Sequence, residues 1–387
     1  ANLSLSSFER MSRDRERALD EQIAQLKREV LDLDHRLRHE REKLADIELF
    51  IAGGTLDPMR PASYRLVRVM KRHQDKVLCC AWGTNSRRIV SSSKEGAVVV
   101  WEAGLDKRVD TIVLPTTWVN SCALSPSGEL IAAGGMDNKC ALFRVREGDG
   151  EREKSHSSLG SVLAIETGIR EPPLPSPTAH TKKVVAIHTS FLSFCTFLHS
   201  EHQLITASGD GTTALWDVES TSMIQAFHSP DAILGVDVPQ DDSNLLASAG
   251  CDQVIRIWDV RSDQCVQTFR GHTDDVNDVR WSPTGDAIAS ASDDSTIRLF
   301  DLRADAELGC YQRKPVMFSC NSIDFSISGR LIFGGYNDYL IHLWDSMQGI
   351  KVGCVFAHEN RVTALRRCPD GTSFATASWD NTVKVWA

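Results

Sequence analysis

Short apolar segments recur along most of this chain, and seven of them end in a Trp or Phe that has a carboxylate six residues before it. The pairs are Glu95/Trp101, Asp137/Phe143, Asp210/Trp216, Asp252/Trp258, Asp294/Phe300, Asp338/Trp344 and Asp380/Trp386. The closing aromatics lie 42, 73, 42, 42, 44 and 42 residues apart. A period of about 40–45 residues with Trp-Asp endings is typical of propeller blades, so the pattern predicts an all-β, seven-bladed propeller.

The apolar positions between residues 19 and 48 follow a different spacing. They alternate at intervals of four and three residues, with Glu40 as one polar interruption. These positions are Leu19, Ile23, Leu26, Val30, Leu33, Leu37, Leu44 and Ile47. A heptad stripe this narrow predicts a coiled-coil helix that needs a second helix against it. The alternative is a helix that lies on its own propeller, although a broad sheet surface fits a narrow stripe less well.

These patterns divide the chain into four parts. Residues 1–18 are rich in Ser and Arg and are expected to form a flexible tail. The coiled-coil helix spans residues 19–48, and a linker spans residues 49–63, where Gly53 and Gly54 end the helix. Residues 64–387 form the propeller. Its second repeat is longer than the others, and the Pro-rich stretch 146–182 is expected to be a loop insertion.

The last repeat ends at Trp386, after its third strand, whereas every other repeat is followed by a segment that can supply a fourth. Residues 64–71 are the only strand left over. We therefore expect this N-terminal strand to complete the final blade and remove an open sheet edge.

Several repeats also place a His and a hydroxyl at fixed distances from the Asp and Trp. Repeats 3, 4 and 7 hold all four residue types: Asp210, His188, Thr206 and Trp216; Asp252, His228, Ser248 and Trp258; Asp380, His358, Thr376 and Trp386. A buried carboxylate is costly unless its lone pairs are met, so we expect a hydrogen-bonded chain within each of these blades. The set resembles a hydrolase triad, but its recurrence in successive repeats indicates a structural role.

The composition and the motif content argue against several classes of function. A net charge of −9 argues against a nucleic-acid-binding protein, whose footprint is a basic face. The sequence contains no phosphate-binding Gly-rich loop, no nucleophile elbow and no convincing metal-ligand cluster, so we expect neither an enzyme nor a cofactor. The 11 cysteines lack zinc-site spacing and are expected to be reduced thiols.

The combination of a heptad helix, a short linker and seven WD repeats resembles the beta subunit of heterotrimeric G proteins. The resemblance covers roughly residues 19–387 apart from the insertion. It is carried by the segments Arg88–Ser93, Thr117–Val119, Gly134–Asn138, Ser208–Thr212, Ser292–Ser295, Asp301–Asp305, Ser328–Leu331, Gly334–Asp338 and His358–Val362. Three further segments, Asp46–Leu49, Lys76–Cys79 and Asp217–Ser220, are most similar to the divergent fifth type of beta subunit.

This resemblance implies the partners. Beta subunits of the fifth type are obligate partners of regulators of G protein signalling (RGS proteins) that carry a G-gamma-like domain, whereas conventional ones hold a prenylated gamma subunit. The heptad positions of residues 19–48 would contact that partner. The chain has no lipidation motif, so it is expected to be cytoplasmic and to reach the inner face of the plasma membrane only through its partner, without inserting into the membrane.

The resemblance also implies a binding surface for G-alpha and effectors on the narrow face of the propeller. Carried over by matching motifs, the narrow face comprises Lys76, Leu78, Trp118, Val119, Asn120, Met136, Asn138, Phe191, Asp231, Ile233, Asp275, Asn277, Asp293 and Trp379. Leu78 and Asn120 depart from the Tyr and Met that are customary in the family, which weakens the case for tight G-alpha binding. Two rival functions remain: a conventional beta subunit of a G-alpha/beta/gamma heterotrimer, and a WD-repeat assembly scaffold outside G protein signalling.

Overall fold

The structure of this protein is a computed structural model. It describes residues 23, 25–30, 32–33, 36, 49–59, 64–104, 107–145, 182–240, 244–312 and 318–387. The chain divides into two units, Ala1–Glu48 with Arg303–Asp305, and Leu49–Leu302 with Ala306–Ala387. In the first unit the described residues between 23 and 36 are helical, and Arg36 forms an ion pair of 2.6 Å with Asp32 one turn earlier. The proposed tail and the seam positions Leu19, Leu37, Leu44 and Ile47 lie outside the described residues.

The described residues of the second unit contain 28 strands in seven antiparallel sheets of four. Strands are numbered in chain order, so blade 1 begins with β2, and β1 belongs to blade 7. Blades 1 to 3 comprise β2 (Val77–Trp82), β3 (Arg88–Ser93), β4 (Ala97–Glu102) and β5 (Lys107–Val113); β6 (Ser121–Leu124), β7 (Leu130–Gly134), β8 (Lys139–Arg144) and β9 (Lys182–Ile187); β10 (Leu192–Phe197), β11 (Gln203–Ser208), β12 (Thr212–Asp217) and β13 (Met223–His228).

Blades 4 to 7 follow the same order. They comprise β14 (Ile233–Asp237), β15 (Leu245–Gly250), β16 (Ile255–Asp259) and β17 (Gln264–Phe269); β18 (Val276–Trp281), β19 (Ala287–Ser292), β20 (Ile297–Asp301) and β21 (Ala306–Tyr311); β22 (Cys320–Phe325), β23 (Leu331–Tyr336), β24 (Leu340–Asp345) and β25 (Lys351–Phe356); β26 (Val362–Arg367), β27 (Phe374–Ser378), β28 (Thr382–Trp386) and β1 (Leu66–Lys71). The seven-bladed all-β propeller expected from the repeat is therefore confirmed.

The N-terminal strand closes the last blade. β1 pairs antiparallel with β28, with Met70 opposite Val383 and Leu66 opposite Trp386. Met70 is only 2% exposed and packs in the seam between blades 7 and 1. Burying one Met side chain contributes roughly 1.5–3 kcal/mol, so β1 stabilises this seam as well as covering the sheet edge.

The core is divided among the blade seams. The inner strands β2, β6, β10, β14, β18, β22 and β26 each contact the next and close into a ring. Seven apolar clusters lie among the described residues, each between two successive blades. Small Ala and Val side chains on the second and third strands let neighbouring sheets approach, and the closing aromatics fill the wider space farther out.

The structure adds detail to the linker and shifts one end of the insertion. The linker begins with a short helix, Leu49–Gly53, whose Phe50 ring lies edge-on to Tyr311 with centroids 6.2 Å apart. The linker is thus packed on the propeller, and Gln348 donates hydrogen bonds to the carbonyls of Gly53 and Leu56. The insertion also ends earlier than expected, because Lys182 already belongs to β9; residues 146–181 lie outside the described residues.

Candidate partner-binding surface

The blade networks have the expected geometry in repeats 3 and 7. In blade 7, His358 Nδ1 lies 2.8 Å from Asp380, and its Nε2 lies 2.8 Å from the Thr376 hydroxyl. The Trp386 indole N–H donates to the same hydroxyl at 3.0 Å. Blade 3 repeats this chain with His188, Asp210, Thr206 and Trp216, at distances of 2.8–3.2 Å. Every polar group in these chains has a partner, so burial is tolerated.

Electrostatics agree with a structural role. Burial lowers the pKa of His188 and of His358, which favours the neutral ring at neutral pH. Burial alone would raise the pKa of Asp210, but hydrogen bonds from Thr212 and Thr189 outweigh it and lower that pKa to about 2. The carboxylate is therefore a fixed acceptor rather than a group poised to exchange protons near neutral pH.

The expectation for repeat 4 is wrong. His228 is exposed on the outer strand β13, and the position that holds the network His in other blades is Pro230. Asp252 instead forms an ion pair of 2.5 Å with Arg256, four residues later on the neighbouring strand. Only the outer half of the network survives, where Trp258 donates to Ser248 at 2.8 Å. His228 precedes its closing Trp258 by 30 residues, whereas the network His of the other repeats precedes the closing aromatic by 28, and this difference was the signal of the departure.

The narrow face is organised around partly exposed tryptophans. The Trp379 ring contacts two cations, with Lys76 Nζ 3.8 Å and the Arg361 guanidinium 4.1 Å from its centroid. Lys94 Nζ lies 4.9 Å from the Trp118 ring. Trp118 has a φ of +58°, an unusual conformation for a bulky residue. Such strain persists only where the surroundings enforce it, and it clusters at functional sites.

A ring of side-chain hydrogen bonds joins the inner strands at this face. Asn120 donates to the Leu192 carbonyl of the next blade at 2.9 Å, and four equivalent residues do the same. These bonds run from Ser193 to Ile233, from Asn277 to Cys320, from Asn321 to Val362 and from Thr363 to Val77. Leu78 and Leu234 occupy the two remaining positions, so the ring lacks a side-chain bond between blades 1 and 2 and between blades 4 and 5.

Within this ring lies a cavity of about 310 Å³, lined by residues of six blades. Its walls include Phe191, Leu234, Arg361 and Trp379 beside the ring of Asn, Ser and Thr side chains. Phe191, Leu234 and Arg361 donate none of the hydrogen bonds of this ring, whereas the Asn, Ser and Thr side chains do. The cavity is therefore the part of the narrow face best able to receive a partner's side chain.

The structure corrects part of the narrow-face assignment. Val119 and Ile233 are 0% and 1% exposed, so neither side chain can reach a partner. The amides of Asn120 and Asn277 are committed to the next blade, and Asn277 also donates to Asp293. The other assigned residues reach the surface at least in part: Lys76, Leu78, Trp118, Met136, Asn138, Phe191, Asp231, Asp275, Asp293 and Trp379.

Sequence reasoning missed several residues of this surface. Lys94 and Arg361 hold the two tryptophans, and Ser193, Leu234, Asn321 and Thr363 complete the ring around the cavity. The repeat itself could have found the ring members, because they occupy the position of Asn120 in successive blades. Lys94 and Arg361 lie 24 and 18 residues before the tryptophans they contact, at no common spacing, so only the fold shows these contacts.

The apolar seam of the N-terminal helix is exposed where it is described. Ile23, Leu26, Val30 and Leu33 are 46%, 60%, 63% and 57% exposed. In the described part of the chain no helix is long and apolar enough to cross a membrane. The same residues contain no group of three or more His, Cys, Asp or Glu side chains that could hold a metal ion.

The fold defines a WD-repeat propeller, and its loops at one end form a contiguous surface of the kind that recognises partners. Residues 64–102 and 107–144 match the WD domain, G-beta repeat, and residues 177–387 match the G protein beta WD-40 repeat protein family. Guanine nucleotide-binding protein subunit beta-5b of Danio rerio is 42% identical over 89% of this chain and 81% of its own length. Subunit beta-2 of Caenorhabditis elegans is 42% identical over 95% of this chain and 93% of its own. The chain belongs to the G protein beta-subunit family, within which it is beta-5-like, and it is a signal-transduction protein.

Proposed function

We propose that this protein is a non-catalytic scaffold that pairs obligately with the G-gamma-like domain of an RGS protein through its N-terminal helix. The observation that carries the proposal is the exposed heptad stripe. Four large apolar side chains on one helix, each about half exposed, would favour burial against a second helix. Burial of each such side chain contributes roughly 1.5–3 kcal/mol.

The beta-5-like character of the chain supports an RGS partner over a conventional gamma subunit, which is the alternative. Asn120 supports it further. In conventional beta subunits a Met at this position would supply adaptable apolar contact, but here the Asn amide joins two blades. The narrow face is therefore less suited to tight G-alpha binding and better suited to the body of a regulator or to an effector.

The same proposal assigns the remaining narrow-face residues to signalling contacts, with Trp118 and Trp379 as anchors and Asp231, Asp275 and Asp293 as a polar rim. It places the complex in the cytoplasm, at the inner face of the plasma membrane, with attachment supplied by the partner. The family membership and the structural role of the Asp-His hydroxyl chains support a protein without catalysis.

The test is co-expression of the full chain with an RGS protein that carries a G-gamma-like domain, and separately with a prenylated gamma subunit. Leu26→Asp with Leu33→Asp should abolish co-purification with the true partner, because an unpaired buried charge costs several kcal/mol. Glu29→Gln, on the same helix but outside the stripe, is the matched control. Normal recovery of the complex from the double variant would refute pairing through the helix.

The identity of the partner separates the functions. Stable pairing with the RGS protein alone supports the proposal, whereas pairing with gamma alone supports a conventional beta subunit. Failure to pair with either, from chain that is folded, would favour a scaffold outside G protein signalling.

A further inference from the structure

The sixth blade differs from the other six at the turn between its second and third strands. The residue after the repeat carboxylate has a positive φ in every blade, between 62° and 89°. Six blades use a small or flexible polar residue there: Gly96, Asn138, Gly211, Gln253, Ser295 and Asn381. The sixth uses Tyr339, with a φ of +72°. A bulky aromatic in the left-handed region is a strained choice, at a cost of roughly 1–3 kcal/mol.

Packing does not account for this choice, since Tyr339 is 41% exposed. Three positions earlier in the same blade, Tyr336 replaces a residue that is Ser or Gly in the other blades: Ser93, Gly135, Ser208, Gly250, Ser292 and Ser378. The network hydroxyl is also missing, because Gly334 takes its place. A Cβ at Gly334 would lie 2.8 Å from the Tyr336 ring, so the aromatic ring crowds the space of the usual Ser.

These substitutions surround one cavity of about 420 Å³. Four aromatic rings line it, those of Phe318, Tyr336, Tyr339 and Trp344, together with Asp338 and His342. Phe318 is 42% exposed, so two of the four rings are open to solvent. The volume lies within the roughly 300–1,000 Å³ typical of small-molecule sites.

The charge of the lining selects the ligand. Among the described residues that line the cavity, Asp338 is the one acidic side chain and none is Lys or Arg. His342 holds the carboxylate in place, with Nε2 2.8 Å from Asp338 and Nδ1 2.6 Å from Lys351 Nζ. Because the Lys351 ammonium can only donate, Nδ1 accepts and the proton sits on Nε2, facing Asp338. Lys351 thus braces the far side of the imidazole without lining the cavity.

We propose that this aromatic cavity of blade 6 binds an organic cation, an ammonium group that carries alkyl substituents. The faces of aromatic rings attract such cations, and a nearby carboxylate adds Coulombic attraction without a strong hydrogen-bond requirement. Cation binding explains why blade 6, which lacks the usual Ser and the network His, carries aromatic residues that are strained and exposed.

The test compares choline with 3,3-dimethylbutan-1-ol, which has the same shape but no charge. Binding is followed in the full chain with its gamma-type partner, labelled with ¹⁵N-tryptophan, through the indole N–H resonance of Trp344. That resonance is assigned with Trp344→Phe. The resonance should move saturably with choline, and the uncharged analogue should bind roughly two- to thirtyfold more weakly.

Two variants make the result specific. Tyr339→Asn installs the residue that blades 2 and 7 carry at this turn, so it should weaken choline binding and raise the melting temperature. Phe356→Ala removes a 68% exposed aromatic from β25 of the same blade, outside the cavity, and should leave binding unchanged.

Three outcomes would overturn the proposal. Equal affinity for choline and its uncharged analogue would indicate a merely apolar cavity. Absence of a saturable shift with choline would show that no cation binds there. Full choline affinity in Tyr339→Asn would show that the strained ring takes no part.

Discussion

The Lys76 ammonium lies 3.8 Å from the centroid of the Trp379 ring and joins the start of the first blade to the second turn of the seventh. Arg361 approaches the same indole within 4.1 Å. Two cations thus hold one large aromatic at the edge of the narrow-face cavity. An anchored ring loses little further freedom when a partner covers it, which is the property expected of a binding hot spot.

Trp379→Ala is therefore expected to weaken the binding of a narrow-face partner by about 2 kcal/mol or more, roughly a thirtyfold loss of affinity. Trp118→Ala should act similarly from a different blade. A pull-down that reports the narrow-face partner and the gamma-type partner separately is the measurement, with a melting curve to detect misfolding. The helix-bound partner should remain attached. Unchanged affinity of both variants for every narrow-face partner would refute the assignment of this surface.

The ring of inter-blade hydrogen bonds should contribute to stability rather than to binding. Asn321 donates to the Val362 carbonyl and to Asn337, so Asn321→Leu should lower the free energy of unfolding by roughly 1–3 kcal/mol. Asn120→Leu should destabilise the propeller in the same way without a loss of partner affinity. Leu234→Asn places an amide at one of the two positions that lack this bond, so it should raise the free energy of unfolding. Loss of partner binding by Asn120→Leu at full stability would show that its amide acts as a contact instead.

The fourth blade offers a matched pair of variants. Asp252→Ala removes the partner of Arg256, whose side chain is only 13% exposed, and should cost roughly 1–3 kcal/mol in unfolding free energy. His228→Ala should be nearly neutral because His228 is exposed on β13. Denaturant unfolding of both variants is the measurement. A comparable loss of unfolding free energy in His228→Ala would show that His228 does take part in the hydrogen-bond network of blade 4.

Stability should fall as the pH falls below about 6.5. Burial holds the pKa of His188 and of His358 below their ordinary value of 6.5, and Asp210 and Asp380 offset part of this effect. Between the two pKa values the unfolded chain binds more protons than the folded one, so acidification favours unfolding. A second decline follows below the ordinary carboxyl range, toward the Asp210 pKa of about 2.

Urea unfolding at about pH 7.5 and about pH 5.5 measures the first decline. His358→Gln should reduce overall stability but flatten the pH dependence, because one of the buried imidazoles no longer titrates. A dependence as steep in His358→Gln as in the parent protein would show that other groups cause it.

The sequence by itself determined the elements that repeat. The spacing of the closing aromatics specifies seven blades, because each blade buries the same positions against the next. The leftover strand at 64–71 identified the partner of β28, since an open edge in the last blade would be costly. The complete networks of blades 3 and 7 were also readable, because Asp, His and hydroxyl lie at fixed separations along one repeat.

The tertiary structure alone decided what depends on neighbours from different blades. Val119 and Ile233 belong to surface motifs, yet inter-blade packing buries them, and Asn120 faces the next inner strand. Asp252 pairs with Arg256, four residues later, rather than with His228, because the tertiary structure leaves His228 exposed on β13. The contact of Lys76 with Trp379 likewise joins the first blade to the last, and the cavity of blade 6 forms only once Phe318 and Ser295 come to lie beside the 336–344 turn. The repeat spacing shows which positions of each blade are buried. Which side chains of two blades touch depends on how the neighbouring sheets are oriented in the closed propeller, and the spacing does not show that.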